Sequence, residues 1–313
     1  MLTLVLDHCD VLQGSPYCQK SQRGELDCIN IRHPLFYADI LLQGAQLLRF
    51  APTGQSNWLW LSEQAIYQTG VAVRGGMPIC WPWFGNALDN PTAVQQYIRT
   101  PADAPAHGFA RVRAWQLRHV HTSAQEVCVT LVLPVSDHPT WLGQAQVEVV
   151  FRLSEHHLQV ALTTHARSQP IVFSQALHSY FSTDDIHHTM VEGFDGQPVV
   201  DALQQWQATL QQGAVRFTEE TDRIYQAVGW QRLITPKHCL LLRSNSRSAV
   251  VWNPWIDKSA RLSQCAPDAW RRMCCIETAN VLDDIVQLEA GKSFTLTLSI
   301  QATRTESGSV SLT

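Results

Sequence analysis

The clearest pattern along this 313-residue chain is a period of two in its apolar positions. Over residues 145–164, apolar side chains alternate largely with polar ones, and a polar break at 154–157 divides the segment in two. Successive side chains of a strand point to opposite faces of a sheet, so this pattern predicts an antiparallel hairpin with one buried face. The same alternation over 294–300 predicts a further strand.

Other apolar runs extend the prediction to the whole chain. Runs rich in β-branched and aromatic residues predict strands at 127–133, 171–181, 239–243 and 249–252. Only 201–212 and 267–273 favour short helices, and there is no alternation of strands with long helices. We therefore predict an all-β protein, a large antiparallel β-sandwich with a few short helices. It would form one domain over 1–303, followed by a polar, frayed tail at 304–313.

Composition favours a folded protein with a small-molecule partner. Charged residues make up only 16% of the chain and apolar residues 45%, which excludes a disordered protein. The formal net charge is −4 and like charges are not clustered, so binding to nucleic acid or to an acidic membrane has no electrostatic basis. No apolar run reaches the length that a membrane-spanning helix needs.

The nine cysteines favour reduced thiols over a disulfide framework or a zinc cluster. Their number is odd, their spacing is irregular, and no two of them form a C-x-x-C pair. Near the start, the apolar run 2–6 is interrupted by Asp7 and has no basic stretch before it, which is a poor match to a signal peptide. These features predict a cytoplasmic protein, and we expect it to be a monomer.

Five segments interrupt the strand pattern and are the candidates for a functional site. They mix glycine, aromatic and charged residues, and they cover 73–85, 106–113, 174–181, 250–255 and 273–280. In the first, the paired glycines after Arg74 would let a ligand approach the backbone and the guanidinium closely. In the last, Glu277 lies in an apolar run, where an unpaired carboxylate is costly, so it needs a partner or a task.

Tryptophan is abundant in two of these segments. Four of the 11 tryptophans lie there, namely Trp81, Trp83, Trp252 and Trp255. Such side chains either stack on a sugar ring or fill a core, and we expect them to form part of a pocket wall.

The sequence gives no sign of a metal or of another cofactor. The run 184–188 (DDIHH) contains metal-binding residue types, but neighbouring side chains on a strand point to opposite faces, and no second ligand set has matching spacing. The glycine-rich motifs of nucleotide-binding loops and the G-x-S-x-G motif of a nucleophile elbow are absent. We therefore expect no cofactor.

Taken in order, the candidate segments resemble the aldose 1-epimerase superfamily, specifically its hexose-6-phosphate mutarotase branch. The resemblance extends over roughly 30–300 and rests on VRGGMPICWPWFG (73–85), HGFAR (107–111), ALHSYF (176–181), TDRIYQ (221–226), VVWNPW (250–255) and CIE (275–277). It implies a single galactose mutarotase-like β-sandwich with a concave sugar site. The implied activity is interconversion of the α and β anomers of D-glucose 6-phosphate.

The resemblance also implies two catalytic residues. His178 matches the general acid and Glu277 the general base, which would donate a proton to O5 and remove one from O1 as the ring opens. For these roles Glu277 should be ionised and His178 should protonate near neutral pH. A bell-shaped dependence of rate on pH would follow.

Four further residues match substrate-binding positions of the superfamily. Arg74 and Arg111 match arginines that hold the substrate phosphate, and a guanidinium presents a planar fork that suits phosphate oxygens. His107 matches a histidine that lies near the sugar, and Asp222 matches a carboxylate that contacts ring hydroxyls.

Two other functions remain open. One is a mutarotase for unphosphorylated aldoses, which the two arginines disfavour. The other is a non-catalytic carbohydrate-binding sandwich in which His178 and Glu277 are structural. A glycosidase is a more distant alternative, because the sequence reveals no second acidic residue placed to partner Glu277.

Overall fold

The computed structural model describes residues 11–226 and 229–303, and antiparallel strands dominate it. The first twelve strands are β1 (Cys18–Arg23), β2 (Leu26–His33), β3 (Phe36–Leu41), β4 (Leu47–Pro52), β5 (Ile79–Cys80), β6 (Gln116–Thr122), β7 (Glu126–Val135), β8 (Ala145–Ser154), β9 (His157–Ala166), β10 (Ile171–Phe173), β11 (Gln175–Leu177) and β12 (Tyr180–Ser182). The later strands are β13 (Met190–Glu192), β14 (Pro198–Asp201), β15 (Gln207–Leu210), β16 (Val215–Arg216), β17 (Thr221–Tyr225), β18 (Trp230–Ile234), β19 (Cys239–Ser244), β20 (Ser248–Asn253), β21 (Met273–Asn280), β22 (Val286–Leu288) and β23 (Ser293–Ala302). The predicted all-β class is confirmed.

Two large sheets form the body of the fold. The nine-stranded sheet has the order β16-β13-β18-β19-β23-β9-β8-β7-β6. The eight-stranded sheet has the order β15-β14-β17-β20-β21-β11-β5, with β12 also paired to β21. Two smaller sheets consist of β1 to β4 and of β10 with β22.

The predicted hairpin at 145–164 is confirmed as β8 and β9. The two strands pair antiparallel, with Val149 opposite Leu162, and buried residues alternate with partly exposed ones along both. The predicted strand at 294–300 lies within β23, which pairs with the other edge of β9. Period-two alternation therefore placed the middle of the nine-stranded sheet correctly.

The two large sheets share one core, and this leaves the other face of the eight-stranded sheet available for a site. Val160 and Leu298 of the nine-stranded sheet belong to the same buried cluster as Val251 and Ile276 of the eight-stranded sheet. Because side chains alternate along a strand, Glu277, which follows Ile276 in β21, lies on the opposite face. Inner positions of this sheet thus hold the fold together, and outer positions face away from the core.

Two sequence predictions need correction. The predicted helix at 201–212 is wrong: Asp201 ends β14, and the chain returns as β15, forming a hairpin. The Asp201 carboxylate accepts a hydrogen bond from the Leu203 amide, a local turn that competes with helix formation. The run 171–181 forms three short strands, β10, β11 and β12, instead of one.

Helices are few and short, as predicted. The α-helices whose bounds fall within the described residues are α1 (Thr92–Gln95) and α2 (Trp255–Arg261). The predicted helix at 267–273 is a 3₁₀ turn at Ala269–Arg272. Within the described residues, no helix is long and apolar enough to cross a membrane. The eight cysteines of the described ranges are all unpaired and buried, whereas Cys9 lies outside those ranges.

Some sequence predictions fall outside the described residues. These are the frayed tail at 304–313, the first ten residues of the domain predicted over 1–303, and the interpretation of the run 2–6. They stay predictions, as do the cytoplasmic location and the monomeric state.

Candidate active site

A cavity of about 550 Å³ opens on the outer face of the eight-stranded sheet. All six residues that the resemblance marks as functional line this cavity: Arg74, His107, Arg111, His178, Asp222 and Glu277. They come from segments up to about two hundred residues apart, so only the folded sheet brings them together.

Strand register explains why these side chains meet. Asp222 of β17 lies opposite Trp252 of β20, and Trp252 lies opposite Cys275 of β21. Glu277 is two residues further along β21, so it projects from the same face as Cys275. The outer face therefore carries Asp222 and Glu277 together.

His178 and Glu277 form the buried centre of the cavity. The His178 Nδ1 atom and the Glu277 Oε2 atom are 3.3 Å apart, and the two side chains are 9% and 2% exposed. The two atoms do not form a hydrogen bond with each other, and neither has another hydrogen-bonding partner among the described residues. Buried polar atoms normally have a hydrogen-bonding partner, so these two atoms are available to bind a polar group of a ligand.

Tyr180 and the backbone hold the His178 ring in place. His178 lies between β11 and β12, and its amide donates a hydrogen bond to the Pro78 carbonyl. Its ring stacks on that of Tyr180, with centroids 4.7 Å apart and planes within 4°. The imidazole is thus fixed in position before any ligand binds.

Burial acts on the protonation of both catalytic candidates. It raises the pKa of Glu277 well above its ordinary value, and the Asp222 charge raises it further. It lowers the pKa of His178 well below its ordinary value, and the proximity of His107 and the charges of Arg111 and Arg74 act in the same direction. Without a ligand, the proton shared by the pair is therefore favoured on Glu277, the reverse of the sequence-based expectation.

His107 is held as a neutral hydrogen-bond donor. Its Nδ1 accepts a hydrogen bond from the Gly85 amide at 3.2 Å, so in the neutral ring the hydrogen lies on Nε2. Burial, with the Arg111 and Arg74 charges, lowers the pKa of His107 to about 3. The ring centroids of His107 and His178 are 5.4 Å apart, which places this donor beside the catalytic pair.

Arg74 is a cation without a carboxylate partner among the described residues. Its Nη1 donates a hydrogen bond to the Tyr180 hydroxyl at 3.2 Å, and its buried Nε has no hydrogen-bonding partner there.

The two glycines that follow Arg74 do not have the role expected from the sequence, which was to let a ligand approach the backbone. A Cβ on Gly75 would lie 2.7 Å from the Trp60 carbonyl oxygen, so these glycines allow close packing of backbone against backbone.

Arg111 is the second such cation. It lies in the 3₁₀ turn Ala110–Val112, and its Nη2 donates a hydrogen bond to the Ala106 carbonyl at 2.6 Å. In the described ranges it also has no salt bridge to a carboxylate. Two unneutralised guanidinium groups in one cavity suit an anionic ligand.

A third cation in the cavity, Lys258, was missed by sequence reasoning. Its Nζ lies 2.8 Å from Glu220 Oε1, 4.0 Å from Asp222 Oδ2 and 5.9 Å from the centre of the Trp252 ring. Burial raises the pKa of Asp222 to about 6, and the Lys258 charge opposes this rise. Lys258 is on α2, a helix that the sequence did not predict and that belongs to no recognised motif beyond its first residue.

Of the four tryptophans predicted to form part of a pocket wall, one lines the cavity. Trp252 lines the cavity, but Trp81 and Trp83 are completely buried in the core, and Trp255 packs against Trp270 outside the cavity. The aromatic wall instead includes Phe84 and Trp206, and Trp206 lies in none of the five segments proposed from the sequence as candidates for a functional site. Asp222, which the resemblance marks as a substrate-binding carboxylate, and Asp89 line the cavity together with Glu277.

One group of side chains has the donor types for a metal ion. His178, Cys275 and Glu277 place one donor atom each within 4.8 Å of one another, and all three are buried. Burial raises the pKa of the Cys275 thiol well above its ordinary value, which works against the thiolate that a metal would need. In the run 184–188, Asp185 pairs with His188 at 3.1 Å and caps a 3₁₀ turn.

Comparisons with known proteins identify the family of this chain and several relatives. A family model described as aldose 1-epimerase matches residues 27–301. A protein of Escherichia coli described as "putative glucose-6-phosphate 1-epimerase" is 30% identical over 281 residues, covering 85% of this chain and 87% of that protein. A Haemophilus influenzae protein with the same description is 33% identical over 247 residues, covering 78% and 79%.

A solved structure supports the architecture independently. The crystal structure of a "putative mutarotase" from Salmonella typhimurium superimposes with a TM-score of 0.85 at 28% sequence identity. The match covers 94% of this chain and 96% of the other. The two chains therefore share one fold over nearly their full lengths.

Proposed function

Because this chain belongs to the aldose 1-epimerase family, we propose that it interconverts the α and β anomers of a hexose 6-phosphate, with D-glucose 6-phosphate as substrate. The proposal rests on one observation above all. The buried pair of His178 and Glu277 shares its cavity with Arg74 and Arg111, two cations that have no carboxylate partner among the described residues. An acid–base pair accounts for the family chemistry, and the cations favour a phosphorylated sugar.

The reaction requires one proton to leave O1 and one to reach O5. Removal of the O1 proton forms the aldehyde as the C1–O5 bond breaks, and O5 takes a proton to become a hydroxyl. Rotation about the C1–C2 bond then presents the other face of the aldehyde, and ring closure reverses both transfers. A base and an acid that exchange roles on closure suffice for this sequence. We assign Glu277 as the base and His178 as the acid.

A single proton on the pair serves this mechanism. In the empty cavity burial favours that proton on Glu277, whereas the assigned roles place it on His178. The two arrangements contain the same number of protons and differ by transfer between groups 3.3 Å apart. Burial is the main cause of the low pKa of His178, and the nearby positive charge adds to it. A phosphate near Arg74 and Arg111 would offset that positive charge, so substrate binding should shift the proton towards His178.

His107 orients the substrate and does not carry the transferred proton. A group whose pKa is about 3 stays neutral at physiological pH. Its Nε2 hydrogen is available to a sugar oxygen, because Nδ1 is already engaged with the Gly85 amide.

Exchange NMR of the anomeric protons tests the reaction and the substrate together. We expect exchange to be accelerated for glucose 6-phosphate, with kcat/KM at least about tenfold above that for glucose, since one charge-assisted hydrogen bond is worth more than 1.4 kcal/mol. Arg111→Met should remove most of this preference, and the exposed Arg118→Met is the control. Equal kcat/KM for the two sugars would identify a mutarotase of unphosphorylated aldoses instead.

Substitution of the pair tests catalysis. Glu277→Gln and His178→Ala should each lower kcat/KM by at least about 10²-fold, the usual contribution of general acid–base catalysis. The exposed Glu289→Gln should leave it unchanged. A folded wild-type protein without exchange activity would instead indicate a carbohydrate-binding sandwich.

A further inference from the structure

A tryptophan at the mouth of the cavity has no role in the catalytic arrangement. Trp206 is 44% exposed and lines the cavity, together with Leu203, which is 41% exposed. Both residues lie in the turn that joins β14 to β15, at the edge of the eight-stranded sheet. A large apolar side chain left open to water at the entrance of a polar site suggests a contact that forms only with a ligand.

The base of this hairpin is anchored beside a proposed binding residue. Asp201, which ends β14, forms a salt bridge with Arg223 of β17 at 3.0 Å, and the Ala202 amide donates a hydrogen bond to the Asp222 carbonyl. These contacts fix the start of the turn next to Asp222. The position of the tip over the cavity is therefore set by the sheet itself.

The tip of the turn has an unfavourable backbone conformation. Gln205 and Trp206 have φ angles of +53° and +59°, and the Gln207 amide donates a hydrogen bond to the Gln204 carbonyl across them. Two consecutive non-glycine residues in the left-handed region are uncommon, and each adds strain. No glycine relieves that strain here, although the geometry of the turn would accept one at either position.

We propose that Trp206 is a substrate-binding residue that covers the apolar face of the sugar ring. This inference rests on the proposed function, because it takes the ligand to be a hexose phosphate. The indole ring is flat, apolar and uncharged, so it suits the C–H face of a pyranose and not the phosphate group. The cations Arg74 and Arg111 supply the phosphate contacts, and Trp206 adds binding that is independent of charge.

Calorimetric titration with two probes tests the inference. The probes are 1,5-anhydroglucitol 6-phosphate, which has the sugar ring but no anomeric hydroxyl, and inorganic phosphate. Trp206→Ala should weaken binding of the anhydro sugar by about tenfold and leave the affinity for inorganic phosphate unchanged. Trp206→Phe, which keeps a flat aromatic face, should recover most of the loss.

Two controls separate ring binding from structural effects. Trp230 is 46% exposed but lies on β18, outside the cavity, so Trp230→Ala should bind both probes as the wild type does. Gln205→Gly relieves the left-handed strain without changing the indole, and it should also bind the anhydro sugar normally. Unchanged binding in Trp206→Ala would overturn the inference, as would equal weakening for both probes or failure of the wild type to bind the anhydro sugar.

Anomer exchange measured on the same preparations tests the proposed function separately. Exchange activity in the wild type with unchanged binding in Trp206→Ala would leave the enzyme intact and remove only the role of Trp206. Binding of the anhydro sugar that depends on Trp206, in a wild type without exchange, would retain the role and remove the catalytic proposal.

Discussion

The side chains of His178 and Glu277 are kept from water, although both must handle protons in the proposed reaction. Burial favours the neutral form of each side chain. A charge on one of the two residues therefore lowers the free energy of unfolding unless its partner carries the opposite charge. The buried pair is thus an arrangement that suits reactivity at some cost in stability, which is a common trade-off in enzymes.

Glu277→Gln should therefore stabilise the protein, and increasingly so as pH rises. A raised folded-state pKa means that the folded protein binds the proton more tightly than the unfolded chain does. The ionised carboxylate then lowers stability above the unfolded-state pKa, and glutamine removes that loss. Urea unfolding at pH 5 and pH 8 should show a larger gain at pH 8. A gain that is the same at both pH values would contradict the assigned pKa direction.

The rate of exchange should show two limbs in its dependence on pH. Catalysis needs one proton on the pair, so kcat/KM should fall when the pair gains a second proton at low pH and when it loses its last proton at high pH. The apparent values belong to the pair and not to one residue. Profiles for glucose avoid the ionisation of the phosphate substrate. A profile without limbs from pH 4 to pH 10, with binding shown not to limit, would count against the pair.

At the scale of elements, helix α2 bears on the chemistry of strand β17 through Lys258. Its Nζ lies between Glu220 and Asp222, and its charge opposes the rise that burial causes in the pKa of Asp222. The helix therefore helps to keep the carboxylate of Asp222, a proposed substrate-binding residue, ionised near neutral pH.

Lys258→Met should shift the acidic limb of 1/KM for glucose 6-phosphate to higher pH. The wild-type Asp222 protonates near a pKa of about 6, and loss of the neighbouring cation should raise that value. The ionisation of the substrate phosphate is common to both proteins and cancels in the comparison. Lys292→Met, on an exposed turn, is the control. An unshifted limb would show that Lys258 does not act on Asp222.

Strands with one face exposed to solvent could be predicted from the sequence. Strands that are buried on both faces, and turns that depend on local side-chain hydrogen bonds, could not be predicted. Strands β8, β9 and β23 alternate because one face meets the core and the other meets water. Strand β21 is buried throughout, so its pattern does not distinguish the face of Glu277 from that of Ile276. The hairpin of β14 and β15 was mistaken for a helix because its turn depends on hydrogen bonds of Asp201.

Some residues of the candidate site could be predicted from the sequence, and others could not. The six residues of the resemblance stand in compact motifs, which is why they could be named from the sequence, and all of them line the cavity. Lys258 and Trp206 stand in segments whose composition is that of an ordinary surface. Their proximity to the site arises from pairings between distant strands, which a single sequence does not reveal.

For the whole molecule, the net charge is negative, whereas the proposed phosphate site is positive. The chain has a formal charge of −4, and Arg74 and Arg111 line the cavity without a carboxylate partner among the described residues; Lys258, Asp89, Asp222 and Glu277 line it as well. An anionic substrate is therefore repelled by the molecule at long range and attracted by the cavity at short range.

Ionic strength should consequently change kcat/KM for glucose 6-phosphate and not for glucose. Raising the ionic strength from about 0.02 M to about 0.3 M should lower kcat/KM for glucose 6-phosphate at least about threefold, because screening weakens the interaction between phosphate and cations. The value for glucose, which is uncharged, should stay constant. Steady-state exchange rates in a salt that does not bind the site would measure both, and parallel slopes for the two sugars would contradict the cationic site.

The alternation of inward and outward side chains along β21 has a consequence for the effects of mutations. Ile276 and Glu277 are neighbours in the chain, but one packs between the sheets and the other faces the cavity. Substitutions at these two neighbours should therefore produce two kinds of defective protein. A polar substitution of Ile276 should reduce the amount of protein in the cell, and Glu277→Gln should leave normal amounts of an inactive one. Two adjacent codons would thus be constrained by selection for different reasons.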